Sequence, residues 1–389
     1  MSKPIEGYLL IADITGYTMY LSRSELEHAH HVLQMLLELL IEHTRPPLII
    51  SRLAGDAVVS YGLQDKFLSG QTFVELIEDT YVAFRKAINL MVLNNTCQCN
   101  ACANISTLDL KFFVHYGMFV LQRLDKHDEL LGADVNLIHR LLKNQVTEKT
   151  GCRAYTLYTD AAIRQLAIED IAENLLPHTE SYEHLGEVQT HVQDMHPVWE
   201  AKKDQIQIEI AQDDRLAYQE GEFPLPAHTM WDIVTDPDYR ALFMQSIRQD
   251  ILNRQDGRLA PGSAYQCYHG GNRVTMQTIL EWRPFEQMTT EDTTPVPRAT
   301  CLVNIRLTPT KMGTQVAFTC SKARGPWLSR VICNLIGGFL VRAQFANGMR
   351  EFRARLEREM TAGKHTLREA AAIPAEQIGE AAAASLRKA

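Results

Sequence analysis

With 389 residues, 46% hydrophobic and 22% charged, the chain has the composition of a soluble globular protein and the length of two or three domains. Its net charge of −8, with no long Lys/Arg cluster, excludes nucleic-acid binding through a basic surface. The most apolar run, Val331 to Val341, is broken by Asn334 and two glycines and is too short to be a transmembrane segment. The N-terminal apolar stretch ends on Asp13 without a cleavage site, so the expected location is cytoplasmic.

Residues 7–13 (GYLLIAD) predict a buried strand. A helix is predicted over 24–43, where Leu26, His30, Val32, Leu33, Leu36, Leu37 and Leu40 share a broad face. Ser24 and Glu27 give it a capping box, and Pro46 and Pro47 end it. LIISRLA and AVVSYGL read as two strands joined by a tight turn at Gly55-Asp56. A second helix follows over 72–93, and LDLKFFVHYGMFVLQRL reads as a strand pair turning at Gly117. A helix over 134–142, the strand AYTLYT, a further helix and the strand HLGEVQTHV complete this half. The order predicts an α+β sandwich, helices over a mostly antiparallel sheet, in a first domain covering 1–200.

Polar residues 199–205 make a linker, and a second α+β domain is expected over 206–362. It opens with a short helix (PAHTMWDIVTDP) and continues with the strands IRQDIL, SAYQCYHGG, RVTMQTILEW, ATCLVNIRL and TQVAFTC. One long helix is predicted over 327–360, its apolar face traced by Leu328, Val331, Ile332, Leu335, Phe339, Phe345, Met349, Phe352, Leu356 and Met360. Gly337-Gly338 weakens it locally. Trp231, Trp282 and Trp327 are expected in the core or lining a cavity. Residues 363–389 form an Ala-rich tail.

Two acidic residues carry the chemistry. Asp13 ends an apolar strand and Asp56 sits in a tight turn, so each alone reads as a turn residue. Placed at one sheet edge they would repel each other, a repulsion that a divalent cation such as Mg²⁺ relieves. The cluster Cys97, Cys99 and Cys102 could bind Zn²⁺ given a fourth ligand such as Cys152 or His115. The other reading is three reduced thiols in a loop. His28, His30 and His31 read as surface or core-edge residues.

Three segments together resemble class III adenylate and guanylate cyclases: LIADITGYTMYL, SRLAGDAVVSYG and LLGADVNLIHRL. The chain also resembles the bacterial group called domain of unknown function 2652. The resemblance implies a ferredoxin-like nucleotidyl cyclase domain that converts ATP to 3′,5′-cyclic AMP and pyrophosphate. Asp13 and Asp56, with the Ile14 carbonyl, would hold two Mg²⁺ or Mn²⁺ ions. Asn136 would orient the ribose and Arg140 would hold charge on the phosphorus, and their spacing of four shares one helix face. In the family these two groups come from different subunits, which implies a head-to-tail homodimer. Arg52 and Glu129 stand where ATP-specific members carry Lys and Asp, which implies ATP ahead of GTP. His191 stands where many members place a triphosphate-binding Lys. These departures leave open a second reading, a weak or inactive cyclase-like module that binds nucleotide or dimerises.

The second half resembles the helix-grip, START-like proteins, polyketide cyclases among them, through PAHTMWDIVTDPDYRALF, PGSAYQCYHG, ILEWRPFEQM and the long final helix. This implies an apolar cavity for a hydrophobic small molecule or lipid; the domain reads either as a sensor of that ligand that tunes the cyclase or as a structural appendage that helps dimerisation. No paired carboxylates and no Ser/His/Asp set are seen there, which counts against catalysis in this half.

Overall fold

Strand β1 (Ile5–Thr15) is buried from Gly7 to Ala12 because helices cover both faces of its sheet. A computed structural model describes residues 3–63, 68–94, 97, 99–124, 127–205, 207–270 and 273–365. The expected tail falls, from residue 366 on, outside the described residues. The chain divides into two compact units, Met1–Gln205 and Ile206–Thr366, both mixed α+β.

In the first unit β1 is followed by the helices α1 (Tyr17–Ser22) and α2 (Leu26–Thr44), then by the hairpin strands β2 (Ile49–Ala54) and β3 (Ala57–Leu63). Next come α3 (Gly70–Leu93), α4 (Asn100–Asn104), β4 (Asp109–Leu124), β5 (His127–Leu131), α5 (Ala133–Leu141) and α6 (Val146–Thr150). The unit ends with β6 (Tyr155–Thr159), α7 (Asp160–Leu166), α8 (Glu169–Ala172), β7 (Leu176–Tyr182), β8 (Gly186–Asp194) and α9 (Met195–Lys202). The sheet order is β2-β3-β1-β4-β6-β8-β7, with β5 paired to β4. Every pairing is antiparallel except β4 with β6.

Side chains alternate across a strand. Leu9 and Ile11 therefore point to the face that α5 covers, where they join Val59, Phe113, Val135, Ile138 and Leu141 in one core. Asp13 continues that alternation, so it lies at the end of the same face.

Four local expectations change. Gly117 is no turn: β4 runs straight through it, and a Cβ there would sit 2.4 Å from the Asp134 carboxyl, so glycine serves a close approach. The capping box at Ser24 and Glu27 is not formed. Glu25 occupies the N-cap position of α2 without a side-chain bond and caps α4 instead. The polar linker begins as helix α9, held to α3 by Lys202 Nζ and Glu78 Oε2 at 2.7 Å. Strand β7, too polar to stand out, pairs with β8.

The second unit begins with β9 (Arg215–Phe223), α10 (Ala227–Thr235) and α11 (Pro237–Phe243). The strands β10 (Arg248–Leu252), β11 (Ala264–Tyr268), β12 (Val274–Arg283), β13 (Gln287–Thr293), β14 (Thr300–Thr310) and β15 (Gly313–Ser321) follow. They form a fully antiparallel sheet of order β10-β11-β12-β13-β14-β15-β9. The single final helix of the sequence reading is two, α12 (Trp327–Ile332) and α13 (Gly338–Thr361), separated by a π turn at Cys333–Gly337. Trp231 and Trp282 are buried and meet edge to face with ring centres 4.9 Å apart. Trp327 is neither core nor cavity lining, being 72% exposed, and Leu335 and Phe339 are exposed with it. The apolar face of the final helix enters the core from Phe345 onward, through Met349, Phe352 and Leu356.

Candidate active site

The metal-candidate residues lie at the C-terminal end of β1. Asp13 pairs in register with Ala57 of β3 on one side and Lys111 of β4 on the other. Asp56 occupies the turn between β2 and β3, where Gly55 takes a φ of 72° that glycine adopts without strain. The Ile14 N–H donates to the Asp56 carbonyl at 3.3 Å, which ties the turn to β1. In an extended strand the N–H and C=O of one residue point to the same side. The Ile14 carbonyl therefore faces the turn that carries Asp56.

Burial pushes the Asp13 carboxyl up to about 6, against the pull of the Lys111 ammonium. Burial and then the Asp13 charge push the Asp56 carboxyl up to about 7. The two carboxylates thus share one partly dry corner and repel each other. Lys111 places a cation at this corner. Its Nζ lies 4.9 Å from the centre of the Tyr155 ring, and burial lowers its own pKa. Lys111 is marked in the sequence only as a lone Lys inside the apolar strand LDLKFFV.

The second set of residues gathers around α5. Val135, Ile138 and Leu141 turn that helix's apolar side to the core, which leaves Asn136 and Arg140 exposed on the other side. The N-terminus of α5 is fixed beside Gly117: Asp134 Oδ2 accepts from the Met118 N–H at 2.6 Å, and Asp134 Oδ1 lies 3.3 Å from His115 Nε2. Gly117 pairs with Gly7, six residues along β1 from Asp13, a separation of about 20 Å at the usual strand rise. The anchor of the Asn136 helix is therefore distant from Asp13 within one chain.

Arg52 and Glu129 meet. Arg52 Nη1 donates to Glu129 Oε2 at 3.0 Å, and Arg52 Nη2 lies 3.0 Å from His139 Nε2. Burial, and then the Arg52 charge, lower the His139 pKa. His191 on β8 stands 3.4 Å from Asp160 Oδ1 at the start of α7. It is linked to the α5 side rather than the Asp13 side, because Thr159, next to Asp160, bonds His115 Nδ1 at 2.9 Å.

The suggested fourth ligands of the cysteine cluster lie elsewhere. His115 is buried between Asp134 and Thr159, and Cys152 belongs to the core beneath α5. His28 of α2, read as a surface residue, stands beside the three thiols instead. No spacing rule joins it to them, since 69 residues separate it from Cys97.

A family described as protein of unknown function, DUF2652, matches residues 33–150. That span takes in Arg52, Asp56, the cysteine cluster, Glu129, Asn136 and Arg140, and leaves out Asp13 and His191. An uncharacterized protein of Mycobacterium tuberculosis is 32% identical over 112 residues, which are 29% of this chain and 50% of the relative. The chain thus matches about half the length of that curated relative. Among solved structures, a bacterial light-regulated adenylyl cyclase is similar at 10% identity and a TM-score of 0.38, over 52% of this chain and 57% of that one. The guanylyl cyclase Cya2 is similar at 14% identity and a TM-score of 0.37, over 49% of this chain and 92% of the other.

Proposed function

We propose that the first unit is a class III nucleotidyl cyclase, converting ATP to 3′,5′-cyclic AMP and pyrophosphate in a head-to-tail homodimer. The observation that carries this reading is the half-buried pair Asp13 and Asp56, each with a raised carboxyl pKa, the second raised in part by the charge of the first. Such a donor set fits Mg²⁺ or Mn²⁺, which take carboxylate oxygens together with substrate phosphates. When bound, those ions lower the pKa of the ribose 3′-hydroxyl and neutralise the triphosphate.

The other roles follow from side-chain chemistry. Asn136 can bond the ribose, and the Arg140 guanidinium can hold charge on the phosphorus, a kind of contact worth about 3–4 kcal/mol. Both are exposed on α5 and available to a second protomer. Arg52 offers donors and Glu129 acceptors to a purine edge, which carries both kinds of group. His191 is a weaker phosphate partner than Lys because a neutral imidazole carries no charge. For the second unit we read a helix-grip, START-like domain for an apolar ligand, supported by its fully antiparallel sheet and the packing of α13. A void of about 10 Å³ among Val234, Tyr239, Phe243, Ile305, Phe318 and Phe352, room for roughly one water, lies in this core.

One observation favours a second reading. Arg52 and Glu129 bond each other at 3.0 Å, so a base has to share or displace that bond. A slow or inactive nucleotide-binding module is the outcome if displacement costs too much. Incubating the purified protein with Mn²⁺ and ATP or GTP decides between them. Cyclic nucleotide is expected, more from ATP than from GTP. No product from either, at concentrations that support dimers, overturns the enzyme reading.

A further inference from the structure

Outside the carboxylate corner, three thiols and one imidazole converge on the first unit. His28 lies in the first turns of α2, Cys97 and Cys99 precede α4, and Cys102 lies within it. His28 Nδ1 is 3.2 Å from Cys99 Sγ, 3.7 Å from Cys97 Sγ and 3.8 Å from Cys102 Sγ. All four ligand atoms lie within 4.8 Å of one another.

These distances suit a tetrahedral zinc ion. Zinc bound tetrahedrally, with bonds of about 2.3 Å to sulfur and about 2.0–2.1 Å to nitrogen, holds each sulfur about 3.6 Å from the nitrogen and about 3.8 Å from the next sulfur. The three measured separations bracket the first value. No pair of these cysteines forms a disulfide. The backbone around them is shaped for thiolates. The Cys102 N–H points at Cys99 Sγ at 3.4 Å, a donor that favours the charged form. Glu25 accepts from the Ala101 N–H at 3.0 Å and from Asn100 Nδ2 at 3.1 Å, fixing the start of α4.

We propose that His28, Cys97, Cys99 and Cys102 form a structural zinc site. Four protein ligands close the coordination sphere and leave no position for a reacting molecule. The ion joins α2 to the connection that enters β4. That connection packs under Gly16, where an added Cβ would lie 3.0 Å from the Thr107 carbonyl oxygen. It then begins β4 at Asp109, the register partner of Thr15, two residues from Asp13. The zinc therefore holds the end of β1 that carries Asp13, whatever reaction that end serves.

The full chain, purified without chelators, is analysed for metal by mass spectrometry. About one zinc per chain is expected. His28→Ala and Cys102→Ser are expected to lose it, while Cys152→Ser keeps it. Cobalt exchanged into the wild-type site is expected to show the visible bands of a tetrahedral thiolate complex. Folded wild-type protein without zinc, whose three thiols react freely with a thiol reagent, overturns the proposal. So does a His28→Ala protein that retains zinc at wild-type affinity. The wild-type measurements stand even if a cysteine variant fails to fold.

Discussion

Arg52 and Glu129, 77 residues apart in sequence, form an ion pair with Nη1 and Oε2 at 3.0 Å. Their side chains are 41% and 29% exposed, so the pair contributes little to stability, within about 1 kcal/mol. On the proposed reading, the pair holds a donor and an acceptor side by side for a base. Glu129→Gln should leave the melting temperature nearly unchanged. It should cut the preference for ATP over GTP by on the order of tenfold, the scale of one charged hydrogen bond. Product yields from the two nucleotides read this out. An unchanged preference with a large drop in melting temperature assigns the pair to structure alone.

Asp13 and Asp56 should make stability depend on pH and on cations. Their carboxyls sit at about 6 and about 7. A carboxyl raised on folding contributes stability below its unfolded value of about 3.9, and that contribution is lost as pH rises through the folded value. For these two groups, cation-free protein loses stability between about pH 4 and pH 7. Mn²⁺ should therefore raise the melting temperature more at pH 8 than at pH 5. Asp13→Asn with Asp56→Asn should flatten both effects in calorimetry. An equal Mn²⁺ shift at both pH values contradicts the assignment.

Gly117→Ala should destabilise the first unit. The added methyl would meet the Asp134 carboxyl at 2.4 Å and push it from the Met118 N–H. A loss on the order of 2 kcal/mol or more in urea unfolding is expected, since both overpacking and a lost charged hydrogen bond act together. A loss under about 0.5 kcal/mol shows that Asp134 moves without penalty.

In the second unit two tryptophans should separate cleanly. Trp231 is 0% exposed and packs on Trp282, whereas Trp327 is 72% exposed. Trp231→Ala should cost about 3–5 kcal/mol, the range for a deleted core aromatic. Trp327→Ala should stay within about 0.5 kcal/mol. Equal losses in denaturant titrations contradict this division of the core.

The carboxylate corner was legible in the sequence because both of its residues stand at abrupt changes of pattern: Asp13 closes an apolar strand, and Asp56 sits in a Gly-Asp turn. Asn136 and Arg140 were legible as one helix face because helical spacing is local. The ion pair of Arg52 with Glu129 was not, since strand pairing decides which distant side chains meet. His28 was hidden for the same reason: its partners arrive from a segment 69 or more residues away. Gly117 misled because a glycine between two apolar runs reads as a turn, when its use is to admit the Asp134 side chain. Trp327 misled because helical periodicity marks an apolar face without saying what covers it.

In the proposed dimer, Asp13 of one protomer works with Asn136 and Arg140 of the other. Mixing two variants, Asp13→Ala and Arg140→Ala, shows whether the two protomers share a site. Each alone should form almost no cyclic nucleotide from ATP and Mn²⁺. After mixing and exchange, half of the dimers are heterodimers, and each carries one intact site. Activity should therefore return to about a quarter of wild type. A mixture as inactive as its components, with exchange confirmed by mass, contradicts the shared site.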